Sequence, residues 1–268
     1  SYTTIDNSYS TVDVNGTNSV GGLAGYLSYS TINNSYAAGN VECASYYCGG
    51  LVGASLYSNS IFDSYATGNV NGAMYAGGLV GRQVMSEIDN SYANGSVNGV
   101  DNVGGLVGRS AGYAGYYGAY YAYIDNSYAT GDVNGENNVG GLVGDNYYYS
   151  GINNTYATGN VNGTDRVGGL VGYNTQDSSI DTSYATGNIT GTNNAGGLVG
   201  YNSYSTVDNS YSTGSIFSEG TAGGLVGGTY YGSIDNSYWL NRTDDAISCV
   251  GSEVHACNDV PYVQTNES

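Results

Sequence analysis

Residues 151–174 read GINNTYATGNVNGTDRVGGLVGYN, and this phrase recurs with small changes along nearly the whole chain. Its pentapeptide GGLVG, or a near copy, starts at Gly21, Gly49, Gly77, Gly104, Gly140, Gly168, Gly196 and Gly223. A second phrase, Ile/Val-Asx-Asn-Ser-Tyr, ends at Tyr9, Tyr36, Tyr65, Tyr92, Tyr128, Tyr156, Tyr184, Tyr211 and Tyr238. The spacing is 27 to 29 residues, with one step of 36. A period in this range marks a repeat architecture, in which each unit buries its apolar face only against its neighbours.

No stretch has the three-and-four spacing of a helix, and Gly, Asn, Ser and Thr all disfavour helix interiors. The apolar residues sit in short stretches broken by Gly and Asn-Gly turns. Each unit offers three strands: one around Ile-x-Asn-x-Tyr, a short one around Asn-Val-Asn, and one through Val-Gly-Gly-Leu-Val-Gly. The expected fold is all-β, a parallel solenoid of about nine rungs at roughly 4.8 Å per rung. Three columns should face inward, the Leu column of GGLVG, the Val14/Val41/Val70 column and the Ile5/Ile32/Ile61 column. An Asn column (Asn7, Asn34, Asn90, Asn126, Asn154, Asn209, Asn236) should hydrogen-bond amide to amide along the stack. Paired glycines allow either tight wrapping or positive φ.

These residues resemble the GLUG-motif repeats of prokaryotic cell-surface and secreted proteins. The resemblance covers Ser1 to Trp239, with eight full copies and a ninth partial one. It implies an extracellular, right-handed parallel β-helix. It fixes no function, because such repeats occur in adhesins, in surface-layer and sheath-like proteins, and as stalks of secreted enzymes. The chain divides into a solenoid, 1–239, with a Tyr-rich insertion at 109–123, and a disulfide-bearing tail, 240–268.

Composition narrows the function. Asp and Glu total 22 against four Arg and no Lys, for a net charge of −18. The missing bases argue against nucleic acid and against a polybasic membrane contact. No apolar run approaches the roughly 20 residues that span a bilayer. The cysteines fall in two local pairs, Cys43/Cys48 and Cys249/Cys257. Local disulfides are the simplest of three connectivities, and they imply an oxidising, exported setting. With one His in the chain, a four-ligand zinc site is not expected.

Catalytic chemistry is not expected. His255, the only His, lies between Cys249 and Cys257, and the four Arg lie in different repeats. General acid–base work needs paired groups within hydrogen-bond reach. A phosphate loop needs a Lys that GGLVG lacks. Asx-rich turns at Asp101-Asn102, Glu136-Asn137-Asn138, Asp165 and Asn193-Asn194 offer oxygens for Ca²⁺, although they lack the dense Asp repeats of calcium-binding β-rolls and turn formation is the better account of them.

Tyrosine is the unusual feature, at 31 residues. One set ends each Asn-Ser-Tyr. A second gathers after GGLVG, including Tyr147, Tyr148 and Tyr149, and the insertion adds Tyr113, Tyr116, Tyr117, Tyr120 and Tyr121. Stacking along the ladder, a partner interface and a glycan-binding strip are the three readings. Glycosylation sequons stand at Asn15, Asn33, Asn94, Asn153, Asn162, Asn188, Asn241 and Asn266. The chain begins mid-repeat and leaves the pattern after Trp239. The function expected is therefore an extracellular structural protein that adds head to tail into a filament, sheath or surface layer. Contact would run between the rung at 1–16 and the tail from Trp239 to Ser268. The alternatives are a tail folded back as a cap, and an adhesin or stalk that binds glycan or a partner through its Tyr edge.

Overall fold

The computed structural model describes residues 2–115, 118–240 and 248–251. Each repeat makes one turn of a right-handed parallel β-helix, about eight turns in all. In one turn the strands are Glu87–Asp89, Tyr92–Ala93, Val97–Asn98, Asp101–Gly104 and Val107–Ala111. Four sheets result. The first holds the Ile strands, nine of them from Thr3–Asp6 to Ser233–Asp235. The second holds the Tyr-Ala strands, from Tyr9–Ser10 to Tyr238–Trp239. The third carries the Val strands, and the fourth runs from Ala24–Leu27 to Val226–Tyr230. Pairing between turns is parallel and in register, Ile88 on Ile124 and Val107 on Val143 for example.

Where three strands per repeat were expected, most turns have five. The backbone bends at two places where a strand was expected to run on. The first is the Asn column, which is left-handed at every turn, from φ 45 at Asn34 to φ 51 at Asn154, with Asp63 and Thr182 in the same column. Asn tolerates this conformation better than other non-glycine residues. It separates the Ile strand from the Tyr strand. The second bend is the Gly-Leu step of GGLVG.

The pentapeptide follows from close packing. A Cβ on Gly77 would strike the Val80 carbonyl and the Gly108 amide. One on Gly78 would strike the Gly105 carbonyl of the next turn and Cβ of Ala93. One on Gly81 would strike the backbone of Tyr47 and Cys48. Leu79 and Val80, between them, are fully buried. Glycine therefore gives room here, not positive φ. Among the described residues the only left-handed glycine is Gly118.

Two cores run along the axis. The larger joins the Ile, Leu and inward Ala columns to the Val column of the fourth sheet. Each buried Leu or Ile there contributes about 1.5–3 kcal/mol. The narrower core packs Val97, Val133 and Val161 with Val103, Val139 and Val167 inside the third sheet. All three expected ladders face inward, with Ile5, Val14, Leu23 and Ile216 only half-buried.

The polar consensus positions satisfy the corners. The Ser of Asn-Ser-Tyr is buried, and its hydroxyl accepts the amide N–H of its counterpart one turn earlier, as Ser35 does from Ser8 at 3.0 Å and Ser237 from Ser210 at 3.1 Å. The Asn before each Val accepts the backbone N–H of the next turn, as Asn40 does from Asn69 at 3.0 Å. The left-handed Asn column donates along the stack. Its acceptor is another Asn for Asn34, through Oδ1 of Asn7 at 2.5 Å, and for Asn154, through Oδ1 of Asn126 at 2.6 Å, while Asn7 donates to the adjacent Asp6 at 2.7 Å. Elsewhere it is an Asp of the previous turn, as for Asn126 on Asp89 at 2.7 Å and Asn209 on Asp181 at 2.8 Å. A carboxylate is the stronger acceptor.

Candidate functional site

The two tyrosine sets have different geometry. The rings ending each Asn-Ser-Tyr stand on the outside of the second sheet, while the following Ala faces in. From Tyr9 to Tyr211 each stacks on the next, with centroids 4.7 to 5.3 Å apart and planes within 10°. Burial, then the neighbouring phenols, push the hydroxyls of Tyr92, Tyr156 and Tyr184 above their ordinary range. A stack of this kind covers the ring faces that a sugar would use. It is a stabilising ladder whose rim alone meets solvent.

The second set occupies the corner between the fourth sheet and the first. Tyr29, Tyr57, Tyr148, Tyr149, Tyr204 and Tyr231 are all left-handed there, at φ 50 to 71. A bulky residue in this region costs about 1–2 kcal/mol relative to right-handed backbone. Asn or Gly would fill the corner with less strain. Tyr29, Tyr57, Tyr204 and Tyr231 are exposed, Tyr231 by 74 %.

The insertion is an antiparallel hairpin, Tyr113–Gly115 with Gly118–Tyr120, and it leaves the stack at this same corner. Arg109 to Ala111 remain in the fourth sheet, and Ala122 and Tyr123 already belong to the first. Tyr113 faces Tyr120 across the hairpin, and both are exposed, as is Tyr121. Tyr121 meets Tyr149 edge to face at 5.9 Å, and Tyr147, Tyr148 and Tyr149 contact one another in series. Six of the eight expected interface residues are thus placed at one edge. Tyr116 and Tyr117 lie outside the described residues.

Where the third sheet folds back on the fourth, the fold gathers cations that the sequence spreads over separate repeats. Arg82 and Arg109 are direct partners on adjacent strands. Arg82 donates Nη1 to the Tyr47 hydroxyl at 3.0 Å. Arg109 lies over the Tyr147 ring at 4.3 Å and reaches Asp145 through Nε at 3.1 Å, close enough for an ion pair but misaligned as a hydrogen bond. Arg166 lies over Tyr173 at 4.8 Å and pairs with Asp165 at 3.1 Å. Asp145 is buried, and desolvation raises its carboxyl to about 6 although Arg109 and Arg166 act to lower it. This cluster escaped the sequence reading. Its signal was positional, since Arg82, Arg109 and Asp145 each directly follow GGLVG.

The remaining candidates are placed as follows. Cys43 and Cys48 form a disulfide with α-carbons 5.9 Å apart. Cys249 is also in a disulfide, while its expected partner Cys257 lies outside the described residues. The Asx turns put their side chains into ladders: Asn137 donates to Asp101 at 2.6 Å, Asn138 to Asn102 at 3.0 Å and Asn194 to Asp165 at 3.1 Å. Among the described residues no three His, Cys, Asp or Glu side chains come within reach of one metal ion. Asn15, Asn94, Asn153, Asn162 and Asn188 are exposed and Asn33 is half-buried. Asn241, Asn266 and His255 lie outside the described residues. Among the described residues no helix is long and apolar enough to cross a membrane.

The repeat matches a known family model, described as the GLUG motif, at residues 16–42, 72–98, 163–190 and 191–216. No curated protein matches the chain. A solved crystal structure from Bacteroides ovatus, provisionally described as an immunoglobulin A1 protease, is similar at 14 % identity and a TM-score of 0.46, covering 94 % of this chain and 80 % of that one. Four stretches that match the GLUG motif thus lie on one parallel β-solenoid.

Proposed function

We propose that the chain is an extracellular structural rod without catalytic chemistry, which assembles end to end and holds its Tyr corner outward. The observation that supports assembly is self-complementarity along the axis. In the Ile column and in the Tyr column of Asn-Ser-Tyr, Ile or Val meets Ile and Tyr meets Tyr one turn away. At the C-terminal end the chain's own residues 248–251 already cover the fourth sheet, Val250 pairing with Val226 and Cys249 accepting the Leu225 amide at 3.1 Å, so a second copy placed end on would continue the Ile and Tyr ladders. Head-to-tail contact of this kind is heterologous and leads to open filaments. The GLUG motif fits a cell-surface setting. Negative-stain microscopy of the full chain over a range of concentration and salt is the test. Filaments with a cross-β axial spacing of about 4.8 Å are expected. Short single rods under all conditions would end this reading.

A second reading has its own observation. Six tyrosines hold the left-handed corner against their backbone preference. Strain retained at repeated exposed positions points to a contact surface. The ligand of an adhesin or stalk segment would meet that corner, not the stacked ladder.

A further inference from the structure

Sheets one and four meet at the Tyr corner, and their outer surfaces carry opposite charge at the same level of the stack. On the fourth sheet Arg82 and Arg109 occupy equivalent positions of adjacent turns. The Arg109 side chain keeps 21 % of its surface in solvent. On the first sheet Asp89 and Asp125 are likewise direct partners on adjacent turns, and Glu87 flanks them. Ile88 and Ile124 face the core between these acids, so the carboxylates point outward. Both pairs repeat at the rise of one rung, about 4.8 Å. The acids crowd one another. Burial and the neighbouring carboxylates hold Glu87 and Asp125 above their ordinary range, and one oxygen of Asp89 and one of Asp125 are taken by Asn126 and Asn153. Acids also stand in register at Asp181, Asp208 and Asp235, whereas among the described residues Arg82 and Arg109 are the one pair of bases in register, so the basic pair is what fixes the level of the contact.

We infer that the rods also pack side by side, with Arg82 and Arg109 on the fourth sheet of one copy against Asp89 and Asp125 on the first sheet of the next. The inference rests on the reading of the chain as an assembling rod, but it concerns a different surface. Each pair sits on its own side of the Tyr corner, so the corner and the hairpin line the seam between neighbours. The contact is heterologous, because different faces meet. Repetition therefore extends it into a flat or curved array and does not close on a dimer. The occupant is a second copy, chosen because the complementary charge is on the chain itself at the same spacing.

Salt separates this contact from end-on growth. End-on stacking of acidic subunits is helped when salt screens their repulsion. A lateral Arg–Asp contact is weakened, since the screening length falls to about 3 Å at 1 M. Sedimentation velocity and microscopy of the full chain should show lateral pairs or bundles at low salt that separate as salt rises. Arg82→Glu should lower lateral association at least about tenfold while rod length is unchanged. Combining Arg82→Glu with Asp89→Arg should restore it, because the swapped charges again face each other. Circular dichroism and melting confirm that each variant is folded, and Arg82→Gln is the milder substitute if Arg82→Glu is not. The inference is overturned if the folded Arg82 variant bundles like the parent, if the swap fails to restore bundling, or if the parent never associates laterally. Loss of retention on a polyuronate resin by Arg82→Glu, with association unchanged, would also overturn it and make the strip a glycan site. Arg82-dependent pairing without filaments would sink the end-on reading alone.

Discussion

Asp145 lies 3.1 Å from Arg109, yet its carboxyl is harder to ionise than one in water, because burial outweighs the ion pair. Its midpoint rises from an ordinary 3.8 to about 6. The folded chain therefore holds this proton more tightly than the unfolded chain. The contribution to stability is fully present below about pH 4, is lost as pH rises through about 6, and is constant above. A displacement of about two pH units corresponds to roughly 3 kcal/mol. The melting temperature of the parent should fall over this interval relative to that of Asp145→Asn. A parent that gains stability there relative to the variant would mean that the charged pair is favourable and the desolvation argument wrong.

Gly105 and Gly151 should respond oppositely to Ala. A Cβ on Gly105 meets the Gly141 carbonyl and Cβ of Ala129, neither of which can move without shifting a neighbouring turn. Overpacking of this kind costs about 1–3 kcal/mol. A Cβ on Gly151 meets the Tyr123 ring and the Ser179 hydroxyl, which can swing aside. Gly105→Ala should lower the melting temperature clearly. Gly151→Ala should leave it unchanged or raise it, since Gly weakens strands by roughly 0.5–1 kcal/mol relative to Ala. Equal effects would deny the second glycine of GGLVG its close-packing role.

How much of this was legible follows from which columns are uniform. Leu79, Ile88 and Val97 recur identically enough that their inward facing could be read from period alone. The left-handed Asn column was legible as a hydrogen-bonding ladder but not as a bend, because Asn fits both a strand and a corner. The buried Gln83, Asn146 and Asn174 were not legible at all. Their polarity reads as surface, and only the fold shows Asn146 donating to Asn174 at 2.8 Å inside the stack. The Arg edge was missed for a related reason. Distance in sequence hides adjacency that a 27-residue turn creates, as between Arg82 and Arg109.

Cys43 and Cys48 stand where neighbouring turns have glycine and an apolar residue. Cys43 is in register with Gly16 and Gly72, and Cys48 with Val20 and Ala76. In a later turn Val103 fills the space that a Cβ on Gly99 would take. The disulfide thus replaces a packing contact across the same corner. Cys43→Gly with Cys48→Val should fold, with a loss of about 2 kcal/mol for so short a loop. Cys48→Ser should lose more, because it leaves an unpaired thiol and a hydroxyl in a dry column. If the double variant is the less stable of the two, the corner depends on the covalent bond and not on its filling.

Tyr231 tests the Tyr corner. It is 74 % exposed and left-handed at φ 51. Its ring lies 5.3 Å from Tyr204 and 4.6 Å from Tyr230. Those contacts return about 0.5–1.5 kcal/mol, comparable with the backbone strain of about 1–2 kcal/mol. Tyr231→Asn should therefore change the melting temperature little, or raise it slightly, since Asn accepts this conformation. If the corner serves contact, the same variant should lose association with other copies or retention by a partner. Combining it with Tyr204→Asn should deepen that loss without unfolding the rod. A fall in stability of more than about 1 kcal/mol, with association intact, would instead make the corner tyrosines part of what holds the stack together, and the strain would then be offset locally by ring packing.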